Sequence, residues 1–170
     1  MKNKTRSIPG FIILFLCAVS LDQITKYLAL KNLKEQEPFV LIKNIFEFIY
    51  TENRGAAFGI LQGRQIFFYV ITAVVVAAIL VILHRMPDDR KYLPLTVSLV
   101  FILAGAFGNL IDRIVRHYVV DFIYFMPIDF PVFNMADIYV TLSTIALVLM
   151  LLFRYEEDDL KVLSEKRKND

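Results

Sequence analysis

Two stretches without a formal charge, residues 65–83 and 92–111, constrain this chain more than anything else in it. A bilayer core about 30 Å thick is crossed by roughly 20 mostly apolar residues rising about 1.5 Å each. Both runs reach that length and are too uniformly apolar to be one-sided surface helices of a soluble domain. Two further segments reach it only by taking in an acid. Residues 8–21 are uncharged and extend to about residue 30 through Asp22, while residues 138–153 extend through Asp137. The reading is an all-α membrane protein, one integral domain over 1–170, with spans at about 8–30, 65–84, 92–112 and 137–154. A hydrophobic share of 57% agrees, because it exceeds what a soluble domain can bury.

An even number of spans puts both termini on one side, and positive charge selects which. Lys2, Lys4 and Arg6 precede the first span, Arg85, Arg90 and Lys91 join the second and third, and Lys161, Lys166, Arg167 and Lys168 follow the fourth. These segments are expected in the cytoplasm. The first span begins like a signal peptide, but no small-x-small cleavage pattern follows it, and Leu16 before Cys17 is too bulky for a lipoprotein cleavage box. Outside the membrane lie two connections, about 31–64 and 113–136. Alternation in Phe39-Val40-Leu41-Ile42 and Phe46-Glu47-Phe48-Ile49-Tyr50 predicts short strands, hence a small extracytoplasmic β-sheet between the first and second helices. Pro127 and Pro131 predict an extended or turned path after Tyr124. Tyr27, Tyr50, Tyr92 and Tyr155, near span ends, suit an interfacial belt, and residues 155–170 read as a charged, solvated tail.

The acids are the chemical anomaly. Asp22, Asp112, Asp121 and Asp137 fall at or near the outer ends of spans and in the outer loop, in one layer of the molecule. Ionisable groups at such depth are costly and usually face a bundle interior, where they mark function. Two adjacent carboxylates share a proton, one acting as base toward water and the other as acid, which is aspartic protease chemistry. It requires no metal, cysteine or histidine. That suits a chain whose single cysteine, Cys17, lies in an apolar run and whose two histidines, His84 and His117, lack zinc-site spacing. No G-x-S-x-G supports serine chemistry. Spacing alone leaves open which two acids pair, and Asp121 as a loop acid with Asp137 as a helix N-cap is the plain alternative. A small proton-coupled transporter, its acids nearer mid-span, and a scaffold with polar helix contacts are the competing classes.

Four ordered blocks sharpen the reading. Asp22-Gln23-x-x-Lys26 ends the first span, Asn53-Arg54-Gly55-Ala56-Ala57-Phe58 lies in the outer segment, and Gly108-Asn109-x-x-Asp112-Arg113 closes the third span. Val120-Asp121-Phe122 with Phe133-Asn134-Met135-Ala136-Asp137 completes the set. Over nearly the whole chain these resemble the lipoprotein signal peptidase family, also called signal peptidase II. The resemblance implies an aspartic endopeptidase with Asp121 and Asp137 as its catalytic dyad. It would act on diacylglyceryl-modified prolipoproteins at the outer face of a bacterial inner or plasma membrane, among membrane lipids, with no cofactor, metal or nucleic acid. Asn53, Gly55, Gly108, Asn109, Arg113 and Asn134 are then expected to bind substrate or support the dyad, with residues 53–58 a flap. Asp22 and Lys26, one turn apart, are expected to be structural. So is Asp112, for which an ion pair with Arg113 is weighed against Arg113 holding a substrate carbonyl or a lipid headgroup. The chain departs from the family pattern at Arg116-His117, where many members carry glycine between Arg113 and Val120.

Overall fold

The computed structural model describes residues 7–55 and 63–164, the last three by backbone alone. Lys2, Lys4 and Arg6, the basic residues 166–168, and positions 56–58 of the expected flap lie outside the described residues. Four long helices carry the fold: α1 (Ile8–Asn32), α2 (Gln65–Arg85), α3 (Leu93–Arg116) and α4 (Met135–Phe153). Each is long and apolar enough to cross a membrane. Their outward side chains include Ile66, 78% exposed, and Phe153, 81% exposed, a surface suited to lipid rather than water.

Helix α3 is central. Ten of its residues, from Leu95 to Asp112, are buried, whereas α2 buries only Ile79. Close approach of α3 to α4 depends on Gly105, where an added Cβ would lie 2.5 Å from the Ala136 carbonyl oxygen. Gly108 plays the same part toward α1, since a Cβ there would strike the Asp22 carboxylate.

The sheet has three antiparallel strands rather than the two expected from the first connection. β1 (Phe39–Ile42) and β2 (Phe46–Asn53) form a hairpin, and β3 (Val119–Phe125), from the second connection, pairs on the far side of β2. The first four residues of β3, Val119 to Phe122, are all buried, so this strand carries no polar alternation in the sequence. The alternation read in β1 does not become alternating burial either: all four residues are exposed on this apolar edge strand. A bulge between Phe48 and Thr51 resets the β2–β3 register so that Thr51 faces Asp121.

At the opposite end, the tail is partly structured, with a short helix α5 (Glu157–Ser164). Tyr92 and Tyr155 do not join an interfacial belt: they are buried and stacked with ring centroids 5.7 Å apart. Their hydroxyls donate to the carbonyls of Asp159 and Lys91, which makes burial tolerable. Tyr50 is half-buried and hydrogen-bonded to Tyr118, whereas Tyr27 is 55% exposed.

Candidate active site

The first turn of α4 sets the site. Asn134 is its N-cap, and its side chain accepts from the Asp137 amide at 3.1 Å while Asp137 Oδ2 accepts from the Asn134 amide at 3.1 Å. This is a capping box, so the N-cap is Asn134 and Asp137 sits three residues in, with its other oxygen free for different work. Phe133 forms an antiparallel bridge to Ile123 of β3. That pairing brings Asn134 beside Asp121, where Asn134 Nδ2 donates to Asp121 Oδ1 at 2.6 Å. One asparagine therefore contacts both carboxylates.

Each acid has a second amide donor. Asn53 Nδ2 donates to Asp121 Oδ2 at 2.9 Å, and Asn109 Nδ2 donates to Asp137 Oδ1 at 2.9 Å. Asn53 reaches Asp121 because the bulged register places them diagonally on one face of the β2–β3 pair. Asp121 is only 2% exposed. Burial, with the nearby Asp137 charge second, pushes its carboxyl up from the ordinary 3.8 to about 7, against the lowering effect of Asn53 and Asn134. Burial of this kind favours the neutral form of a carboxyl over its ionised form. The two acids border a cavity of about 440 Å³ whose other walls are largely apolar, among them Phe130, Val132, Phe133, Ile138 and Leu142.

Deeper in the bundle lies a second cluster of charge. Lys26 is fully buried, with Nζ 2.9 Å from Asp22 Oδ2 and 3.2 Å from Asp112 Oδ2, both of them equally buried. Asp22 Oδ1 accepts from the Ala136 amide, so α1 also caps α4. The four acids of the one layer thus divide into Asp22 with Asp112 and Asp121 with Asp137. Asn109 joins the two pairs, since its Oδ1 accepts from Lys26 Nζ at 2.8 Å.

Asp112 does not pair with Arg113. It turns to Lys26 and to Arg116, whose Nη1 lies 2.5 Å from Asp112 Oδ1, and it also accepts from the Val120 amide, anchoring the start of β3. Adjacent helix residues point about 100° apart, whereas residues four apart share a face. Arg113 instead lies over the Phe68 ring at 4.5 Å and donates to the Gly55 carbonyl at 3.3 Å. Gly55 itself donates its amide to Asn53 Oδ1, tying the described start of the expected flap to the site. Gln23, part of the first motif block but assigned no role there, donates its side-chain amide to Asp22 Oδ2 and the Gly108 carbonyl. His117 occupies a left-handed conformation, φ 65°, at the α3 C-terminus, which is the physical reason glycine suits that position. Among the described residues no three His, Cys, Asp or Glu side chains cluster as a metal site.

Comparison with known proteins agrees with this architecture. A family model described as signal peptidase (SPase) II matches residues 14–153. The lipoprotein signal peptidase of Clostridium tetani (strain Massachusetts / E88) is 43% identical over 156 residues, covering 90% of this chain and 99% of the relative. That of Brevibacillus brevis (strain 47) is 45% identical over 131 residues, covering 77% and 87%. A solved bacterial membrane enzyme, determined by the in meso method at 2.3 Å, superposes with a TM-score of 0.78 at 31% identity, covering 100% of this chain and 99% of that one. With a family match over most of its length and relatives above 40% identity, the chain belongs to the signal peptidase II family and is a multi-pass membrane peptidase.

Proposed function

We propose that this protein removes signal peptides from bacterial prolipoproteins, cutting just before the diacylglyceryl-modified cysteine, with Asp121 and Asp137 as catalytic dyad and water as nucleophile. The observation that carries the reading is the sharing of Asn134 by two carboxylates at the mouth of an apolar cavity. Asp137, ionised, takes a proton from water as the oxygen attacks the scissile carbonyl. Asp121 gives its proton to the carbonyl oxygen, producing a neutral tetrahedral diol. Collapse returns a hydroxyl proton to Asp121 while Asp137 passes its proton to the leaving nitrogen. The new carboxylic acid and amine leave, and the dyad is as it began. Asn53, Asn109 and Asn134 hold the carboxylates by donation. Arg113, with Gly55, stands where substrate backbone or a lipid headgroup would arrive. The apolar walls suit acyl chains entering from the bilayer.

The whole chain acts as one integral domain of the inner or plasma membrane in this reading. Both termini are cytoplasmic, as Arg85, Arg90 and Lys91 favour, and the dyad lies at the outer face. The test is to incubate the purified protein with a diacylglyceryl-modified prolipoprotein and compare Asp121→Asn and Asp137→Asn variants. Wild type is expected to release the signal peptide and either variant to lose the activity. A correctly folded variant that cuts at the wild-type rate overturns the assignment.

A further inference from the structure

The Asn109 side chain has one orientation that satisfies its neighbours, and Lys26 selects it. An ammonium has three protons to donate and no acceptor. Lys26 Nζ finds three oxygens, Asp22 Oδ2 at 2.9 Å, Asp112 Oδ2 at 3.2 Å and Asn109 Oδ1 at 2.8 Å. Asn134 Nδ2 is also aimed at Asn109 Oδ1, at 3.2 Å. Turning the amide over would set its NH2 against both of these donors and its carbonyl against Asp137 Oδ1, three repulsive contacts at a buried site. The donor polarity therefore runs one way, from Lys26 on α1 through Asn109 on α3 to Asp137 on α4.

We propose that Lys26 is a positioning residue for the dyad, fixing the Asn109 amide so that it donates to Asp137. The inference rests on the dyad reading above and extends it, because a lysine serving only to neutralise buried acids would need no contact with Asn109. Lys26 also acts at a distance, its charge opposing the burial that raises the Asp121 carboxyl. The charged groups around it are Asp22 on its own helix and Asp112 on α3. Arg116 holds the second Asp112 oxygen, and Arg113 stands nearer the dyad.

Lys26→Met tests this in the prolipoprotein cleavage assay. With the Lys26 donation lost and Asn109 Oδ1 held by Asn134 alone, kcat is expected to fall about 100-fold, the order expected for a small misplacement of a reacting group, with KM little changed. The alkaline limb of the kcat profile moves to higher pH, because the charge that helped Asp121 ionise is gone. If Lys26→Met alone does not fold, Lys26→Met with Asp22→Asn removes one positive and one negative charge together and leaves Asp112 with Arg116. A low kcat in that folded double variant supports the inference. Wild-type kcat and an unmoved pH profile in a folded Lys26→Met protein, or wild-type kcat in the double variant, overturn it. Asp121→Asn or Asp137→Asn cutting normally overturns the dyad reading instead, so the two failures are distinguishable.

Discussion

Neutralising Asp121 should make the protein more stable at neutral pH while removing its activity. The Asp121 carboxyl moves from the ordinary 3.8 to about 7 on folding, first through burial and then through the Asp137 charge. A raised folded value means that folding favours the protonated form. The stabilising contribution is complete below pH 3.8 and is lost progressively until the pH passes about 7. At about 1.36 kcal/mol per unit, the roughly three-unit rise removes about 4 kcal/mol of stability between pH 4 and pH 8. Asp121→Asn abolishes this pH-dependent loss. It also gives up one acceptor, since Asn53 and Asn134 both donate to the carboxylate, a pH-independent loss of about 1 kcal/mol. The variant should therefore be slightly less stable than wild type at pH 4 and about 3 kcal/mol more stable at pH 8. Denaturant unfolding in detergent micelles at four or five pH values, followed through tyrosine fluorescence, reads the difference directly. Two parallel curves across that range would refute the argument.

Two further expectations concern the scaffold. His117→Gly removes a side chain from a left-handed position, φ 65°, and should raise stability by about 1 kcal/mol, read from the unfolding midpoint. Gly105→Ala puts a methyl 2.5 Å from the Ala136 carbonyl oxygen. Separating α3 from α4 there should cost about 1–3 kcal/mol, and thermal unfolding unchanged from wild type would contradict the packing described.

How much could be read before the chain was folded depends on the range of each interaction. Hydropathy along one helix is local, so two spans emerge from uncharged runs alone and two more once Asp22 and Asp137 are admitted into theirs. Alternation marks the segments that become β1 and β2, though not their pairing as a hairpin, and a spacing of four marks the Asp22–Lys26 contact. That same spacing also marks Asp112 and Arg116, yet the adjacent Arg113 drew attention, although neighbours on a helix diverge. The motifs carried the family and named Asp121 and Asp137, but no spacing rule could pair those acids.

Their proximity is a tertiary event. Val119 to Phe122 form a buried strand only because β2 is there to receive them, and Phe133 must bridge Ile123 before Asn134 can touch Asp121. Lys26 likewise meets Asp112 and Asn109 only once glycine at 108 lets α1 approach α3. What the chain determines by itself is which segments prefer lipid, because transfer of apolar surface sums residue by residue. Which polar groups meet is decided by packing between segments far apart in sequence, since a buried charge persists only where distant partners satisfy it.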